Sequence, residues 1–134
     1  MMEGCTIRMA VTWEHLQTLD NTFLTKTLGR HPEVTKLYLS HLSEPGFKQS
    51  LVKKLKQNTK SGICFRENDY PYFLEKGITH YIMWFSDEYH IPMEKATSWV
   101  SIQTGKIPDK IVVCCNEQHM KTVPEIQHYH VFLS

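Results

Sequence analysis

Along the first sixty residues, apolar positions recur every three to four residues, the period of helices with one buried face. The Thr12 hydroxyl suits an N-cap for a helix beginning Trp13-Glu14-His15-Leu16, with Trp13, Leu16, Leu19 and Phe23 on its stripe. Gly29 marks a stop. His31-Pro32-Glu33 opens a second helix, because proline at the first helical position forgoes an N–H that has no intrahelical partner. Val34, Leu37, Tyr38 and Leu42 supply its stripe, and Ser43-Glu44-Pro45-Gly46 breaks it. A third helix is expected from about Phe47 to Asn58, burying Phe47, Leu51, Val52 and Leu55.

After Ser61-Gly62 the period changes. Ile63-Cys64-Phe65 reads as a short strand, and Glu67-Asn68-Asp69-Tyr70-Pro71-Tyr72 as a polar, aromatic loop stiffened by proline. Gly77 precedes a strand from Ile78 to Phe85, rich in β-branched and aromatic residues. Alternation puts Ile78, His80, Ile82 and Trp84 on one face and Thr79, Tyr81, Met83 and Phe85 on the other. Both faces are largely apolar, which predicts cover on both sides. Pro92 opens a helix through about Thr104, closed by Gly105, with Met93, Ala96, Trp99 and Val100 inward. Lys110 to Asn116 is the next strand, and Val123 to Phe132 the last.

This order, helices first and then strand, helix, strand, strand, predicts an α+β fold with N-terminal helices packed on a small, mainly antiparallel sheet. One domain spanning residues 1–134 is expected, its helical part about 12–60 and its sheet part about 61–134. The formal net charge is +1, so a general nucleic-acid coat is disfavoured. No apolar run reaches bilayer length, and residues 1–11 lack the apolar core of a secretion signal. Cys5, Cys64, Cys114 and Cys115 form neither a C-x-x-C nor a disulfide framework, which favours reduced thiols and a cytoplasmic or nuclear location. Cys114 and Cys115 would face opposite sides of their strand. Lys48, Lys53, Lys54 and Lys56, with Lys60 beyond, make one helical face basic; a solvated face is the ordinary reading, a phosphate-facing patch the sharper one.

Eight histidines are the unusual count. His128 and His130 alternate on the last strand, so they share a face at roughly 7 Å. If the strands are neighbours, His80 converges with them, and Asn116 ends the strand between. Such imidazoles suit a phosphate, one attacking phosphorus and the other protonating the leaving group. They also suit zinc, though H-x-H lacks an acidic or cysteine ligand at diagnostic spacing, so neither a metal nor another cofactor is expected. The bland alternative is a set of buried histidines bonded to backbone, Asp69 or Glu125. In the loop, Tyr70 and Tyr72 could stack on a base or sugar while Asn68 or Asp69 bonds hydroxyls, or the segment could simply be packed. His15, His31, His41, His90 and His119 carry no assigned role.

Phe65-x-x-Asn68-Asp69-Tyr70-Pro71-Tyr72-x-Leu74-Glu75-x-Gly77-Ile78-x-His80, Trp84, Val113-x-x-Asn116 and Val123-x-x-Ile126-x-His128-x-His130-Val131 form a recognisable pattern. It resembles the fungal N-acetylglucosamine-induced proteins, a family otherwise described as a domain of unknown function. Trp13-x-x-Leu16, Leu28-Gly29-Arg30 and Tyr38 fit as well, so the resemblance covers nearly the whole chain. Cys114-Cys115 departs from the family's aromatic pair, and the segment from Trp84 to Val113 is short. The C-terminal half is in turn distantly similar to histidine-triad nucleotide hydrolases and transferases, with Ile126 and Phe132 leaving the triad incomplete.

The resemblance implies a nucleotide- or nucleotide-sugar-binding domain, with phosphoester hydrolysis or nucleotidyl transfer as its chemistry. His128 and His130 would be nucleophile and acid/base in either order, His80 and Asn116 would orient phosphate, and Asn68, Asp69, Tyr70 and Tyr72 would line the pocket. The expected partner is a small phosphate or nucleotide ligand, not a membrane, and a homo-oligomer is compatible with the sequence. The competing expectation is a non-catalytic interaction or structural protein that keeps the scaffold.

Overall fold

The computed structural model describes residues 5–6, 9–20, 28–59, 62–86, 90–115 and 127–134. Thr12 caps helix α1 (Trp13–Gln17), its Oγ1 accepting the His15 N–H at 3.2 Å. The helix is shorter than its apolar period suggests, and Phe23 lies outside the described residues. Strand β1 (Cys5–Thr6) pairs in parallel with β2 (Gly29–Arg30), where the sequence showed only a stop.

Helix α2 (Pro32–Leu42) begins as expected, with the His31 imidazole accepting the Glu33 N–H through Nδ1 at 3.2 Å. Of its stripe only Tyr38 is fully buried, and Leu37 is 50% exposed. Helix α3 (Phe47–Asn58) follows a left-handed Gly46 and buries Leu55, with Leu51 and Val52 half-buried.

The main sheet is four-stranded and antiparallel, in the order β3 (Ile63–Glu67), β4 (Thr79–Phe85), β6 (His128–Leu133), β5 (Ile111–Cys114). Helix α4 (Met93–Thr104) leads by a short 3₁₀ turn into β5. The two histidine strands are neighbours, as convergence of His80 with His128 and His130 requires: β6 lies between β4 and β5, directly against β4. A return of the chain to the centre leaves no local trace in sequence.

The sheet's two faces meet different elements. Met83, Phe85, Val113, Tyr129 and Val131 pack with Ala96 and Val100 of α4. On the other face Val112, Cys114 and Phe132 pack with Val11, Leu16, Leu28 and Tyr72, while Ile82 and Trp84 meet Leu55. Cys114 and Cys115 thus face opposite ways, as alternation requires. The outer backbone edge of β5 is occupied by a side chain: Asp20 Oδ1 accepts the Val113 N–H at 3.0 Å. No helix among the described residues is long and apolar enough to cross a membrane.

Candidate functional site

Pairing of β4 with β6 sets Ile82 opposite His130 and Trp84 opposite His128, and even-numbered positions of both strands share one face. His80, His128 and His130 therefore converge, and they are only 2%, 1% and 0% exposed. The His80 and His130 rings lie 5.0 Å apart, and those of His128 and His130 5.7 Å apart. His80 stacks on Phe132, His130 on Tyr72, and His128 leans on Trp84 at 4.4 Å. Asn116 lies outside the described residues.

The hydrogen bonds fix which nitrogens carry protons. The Tyr72 N–H donates to His80 Nδ1 at 3.1 Å, so Nδ1 is an acceptor and neutral His80 is protonated on Nε2. That Nε2–H donates to His130 Nδ1 at 2.8 Å, so the proton of neutral His130 sits on its Nε2. The opposite arrangement would put a proton on His80 Nδ1, facing the Tyr72 N–H donor to donor. Burial first, then His130 and Arg30, hold the His80 pKa well below the ordinary 6.5, which keeps His80 neutral. Since His80 Nε2 and His130 Nδ1 point at each other, they do not converge on an ion. Among the described residues no group of three His, Cys, Asp or Glu side chains is disposed to hold a metal.

The loop after β3 is built on Asn68, whose Oδ1 accepts the Tyr70 N–H at 2.9 Å and whose Nδ2 lies 3.4 Å from His80 Nδ1. This is the local turn that asparagine favours. The Phe73 N–H donates to the Gly29 carbonyl at 2.7 Å, which fastens the loop to β2 and brings in Arg30. Arg30 is 3% exposed. Its Nε donates to the Tyr70 carbonyl at 2.8 Å, and its guanidinium lies 4.2 Å over the Tyr38 ring and 5.2 Å from that of Tyr72. Aromatic faces offset part of the cost of burying that charge.

Arg30 belongs to the lining of an open cleft between helices α2 and α3 and the sheet. Tyr38, Leu51, Leu55, Ile82 and Trp84 line it with apolar and aromatic surface, and Arg66, Glu67, Asn68, Asp69 and Tyr70 supply polar groups. Arg66 and Asp69 form a 3.3 Å ion pair, both partly exposed. Tyr70 leans on Tyr38, its ring tilted by 47°, and its hydroxyl bonds His41 of α2; burial, then Asp69 and Glu44, raise its pKa above the usual 10.0. Of the sequence candidates, Asn68, Asp69 and Tyr70 line this cleft, while Tyr72 turns inward to the histidines. His128 and His130 are outside the lining, with Trp84 connecting His128 to it.

Arg30, Tyr38, Arg66 and His41 were not singled out as site residues from the sequence. The signals available were an arginine directly after a glycine stop, and a histidine on the helix carrying Tyr38. Neither spacing has a distinctive chemistry.

The fold is similar to that of a solved structure described as "Crystal Structure of HTC1", with a TM-score of 0.56 and 19% identity, covering 91% of this chain and 84% of that one. No curated protein matches. Residues 12–134 match the family described as protein of unknown function (DUF3605), and that span takes in α1, the Arg30 cleft and the histidine strand together. The chain belongs to the DUF3605 family.

Proposed function

We propose that the protein binds a small phosphorylated ligand, a nucleotide or nucleotide sugar, in the cleft between α2, α3 and the sheet. The observation that carries this reading is Arg30, a guanidinium 3% exposed, in the lining of an aromatic-walled cleft. Arginine offers a planar fork of donors matched to phosphate oxygens, and Trp84, Tyr38 and Tyr70 offer faces for a base or sugar. Arg66 at the mouth adds a second cation that Asp69 now balances. The resemblance to N-acetylglucosamine-induced proteins and, more distantly, to histidine-triad nucleotide enzymes supports a sugar- or nucleotide-bearing phosphate. The free thiols of Cys64, Cys114 and Cys115 favour a reducing, cytoplasmic setting.

Binding is the core of the proposal, and phosphoester hydrolysis or nucleotidyl transfer would be built on it. For such chemistry the neutral chain leaves an N–H on His130 Nε2, which can donate a hydrogen bond to a phosphoryl or leaving-group oxygen. A nucleophilic lone pair falls to His128 on this reading. The burial of all three histidines favours a second reading, in which they only hold the sheet and the protein is a non-catalytic scaffold.

Calorimetric titration with ADP and with UDP-glucose tests the proposal. The parent protein is expected to bind at least one of them, and Arg30→Lys, which keeps charge but not the fork, to bind about tenfold or more weakly. Absence of heat with both probes, or an unchanged affinity in Arg30→Lys, refutes the cleft and favours the scaffold.

A further inference from the structure

Three hydrogen bonds connect the centre of the sheet to the cleft. His80 Nδ1 accepts the Tyr72 N–H at 3.1 Å, Asn68 Oδ1 accepts the Tyr70 N–H at 2.9 Å, and the Tyr70 carbonyl accepts Arg30 Nε–H at 2.8 Å. Asn68 ties the first to the second, because an amide whose Oδ1 faces Tyr70 turns its Nδ2 toward His80, 3.4 Å away. The loop that holds Arg30 is therefore tied to the His80 imidazole, beside the backbone bonds from the Asn68 N–H to the His80 carbonyl at 2.8 Å and from the Phe73 N–H to the Gly29 carbonyl at 2.7 Å.

We infer that His80 is a positioning residue of the cleft: neutral and protonated on Nε2, it clamps the 68–72 loop around Arg30, and a proton on its Nδ1 opens the clamp and releases the phosphorylated ligand. This rests on the cleft reading above. A proton on Nδ1 would meet two donors, the Tyr72 N–H and the Asn68 amide. It would also add positive charge beside Arg30.

The groups facing His80 come from every element around it. His130 approaches from β6, Arg30 from β2, and Asn68 and Tyr72 from the loop. Glu67, at the end of β3, lines with His80, Asn68 and Tyr72 a second open cavity. Beyond His130 stands Cys114 of β5, whose thiol burial, Asp20 and Cys115 keep protonated. With burial, His130 and Arg30 all lowering its proton affinity, His80 is neutral near pH 7 and the clamp is closed. His41 is bonded to the Tyr70 hydroxyl in the same cleft, so the test must separate its part from that of His80.

Asparagine at position 80 does so, since its amide oxygen falls near the place of Nδ1 and takes no proton. The probe is UDP-glucose, whose phosphodiester charges do not titrate in mild acid. Parent affinity is expected to weaken about tenfold for each pH unit below the His80 pKa. His80→Asn should bind like the parent at pH 7.5 and hold that affinity in acid, while His80→Leu should lose about tenfold or more at pH 7.5. An acid loss in His80→Asn equal to that of the parent overturns the inference. Parent-like binding by His80→Leu overturns it too, and if that variant does not fold, His80→Asn decides alone.

Failure of UDP-glucose to bind the parent would sink the cleft reading separately. The clamp is then read by amide exchange at Tyr70 and Tyr72, corrected for the intrinsic pH dependence of exchange. Protection must fall in acid for the parent and not for His80→Asn. Equal protection in the two proteins would overturn the clamp whatever the ligand.

Discussion

The two faces of the four-stranded sheet are made by alternate residues of the same strands, yet they are built on different principles. Toward α4, Met83, Phe85, Val113 and Val131 close on Ala96 and Val100 in an apolar core. Its tyrosine is satisfied, the Tyr129 hydroxyl donating to the Ile91 carbonyl at 2.7 Å and accepting from His90 Nε2 at 2.9 Å. Toward α2 and α3, the corresponding positions hold three imidazoles, with a guanidinium packed beyond them. Apolar burial is non-directional, so the first face needs only volume. The second needs every donor matched to an acceptor, which fixes geometry at some cost in stability.

The contrast is broken most severely from the apolar side. Phe85→Ala is expected to cost about 3–5 kcal/mol by denaturant unfolding, leaving the cleft's affinity for its probe within twofold in the folded fraction. A large change in affinity would mean that the faces are not separate in function. On the polar side, His130→Leu removes the acceptor of the His80 Nε2–H and should cost about 1–3 kcal/mol. The double variant His80→Leu/His130→Leu should cost less than the two single changes added together, because neither then strands a partner. Strict additivity would show that the bond is not a working pair.

Titration separates the faces by the direction of the pH change. His80 has a lowered pKa, so the unfolded chain takes up its proton first and stability declines as pH falls below 6.5. His80→Asn should flatten that decline. Tyr129 is pushed up to about 12 by burial, then by Cys115 and Glu94, so its contribution is complete below pH 10 and is lost as pH rises toward 12. Tyr129→Phe should remove that alkaline loss of melting temperature and leave the acid limb unchanged. The smallest effect is expected at the cleft mouth, where Asp69→Asn should alter stability by no more than about 0.5 kcal/mol. It should tighten UDP-glucose binding slightly, by releasing Arg66.

Elements with strong local signals were legible. Helix α3 falls on Phe47–Asn58 as its spacing indicates, and α4 ends where Gly105 adopts a left-handed φ of 75°. The face shared by His80, His128 and His130 followed from alternation alone. Strand order did not, because which strand neighbours which is decided by long-range burial and not by any short segment. Leu37 shows the same limit from the other side: its period is helical and apolar, but the packing of α2 leaves it half exposed. Arg30 escaped attention because its importance comes from β2, a two-residue strand, and from a loop forty residues later. The direction of the histidine protons was also beyond the sequence, since it depends on where one backbone N–H of Tyr72 points.

The Asp20 carboxylate bonded to the Val113 N–H has a consequence for how copies of this chain meet in concentrated solution. An outward N–H on the rim of a sheet is a docking point for any extended segment, including the same strand of another molecule. Here that point is filled by an anion from the chain's own helical region, which also repels an incoming carbonyl. Asp20 thus works as a guard against fibre growth, and its loss would be felt as precipitation on storage before any loss of fold.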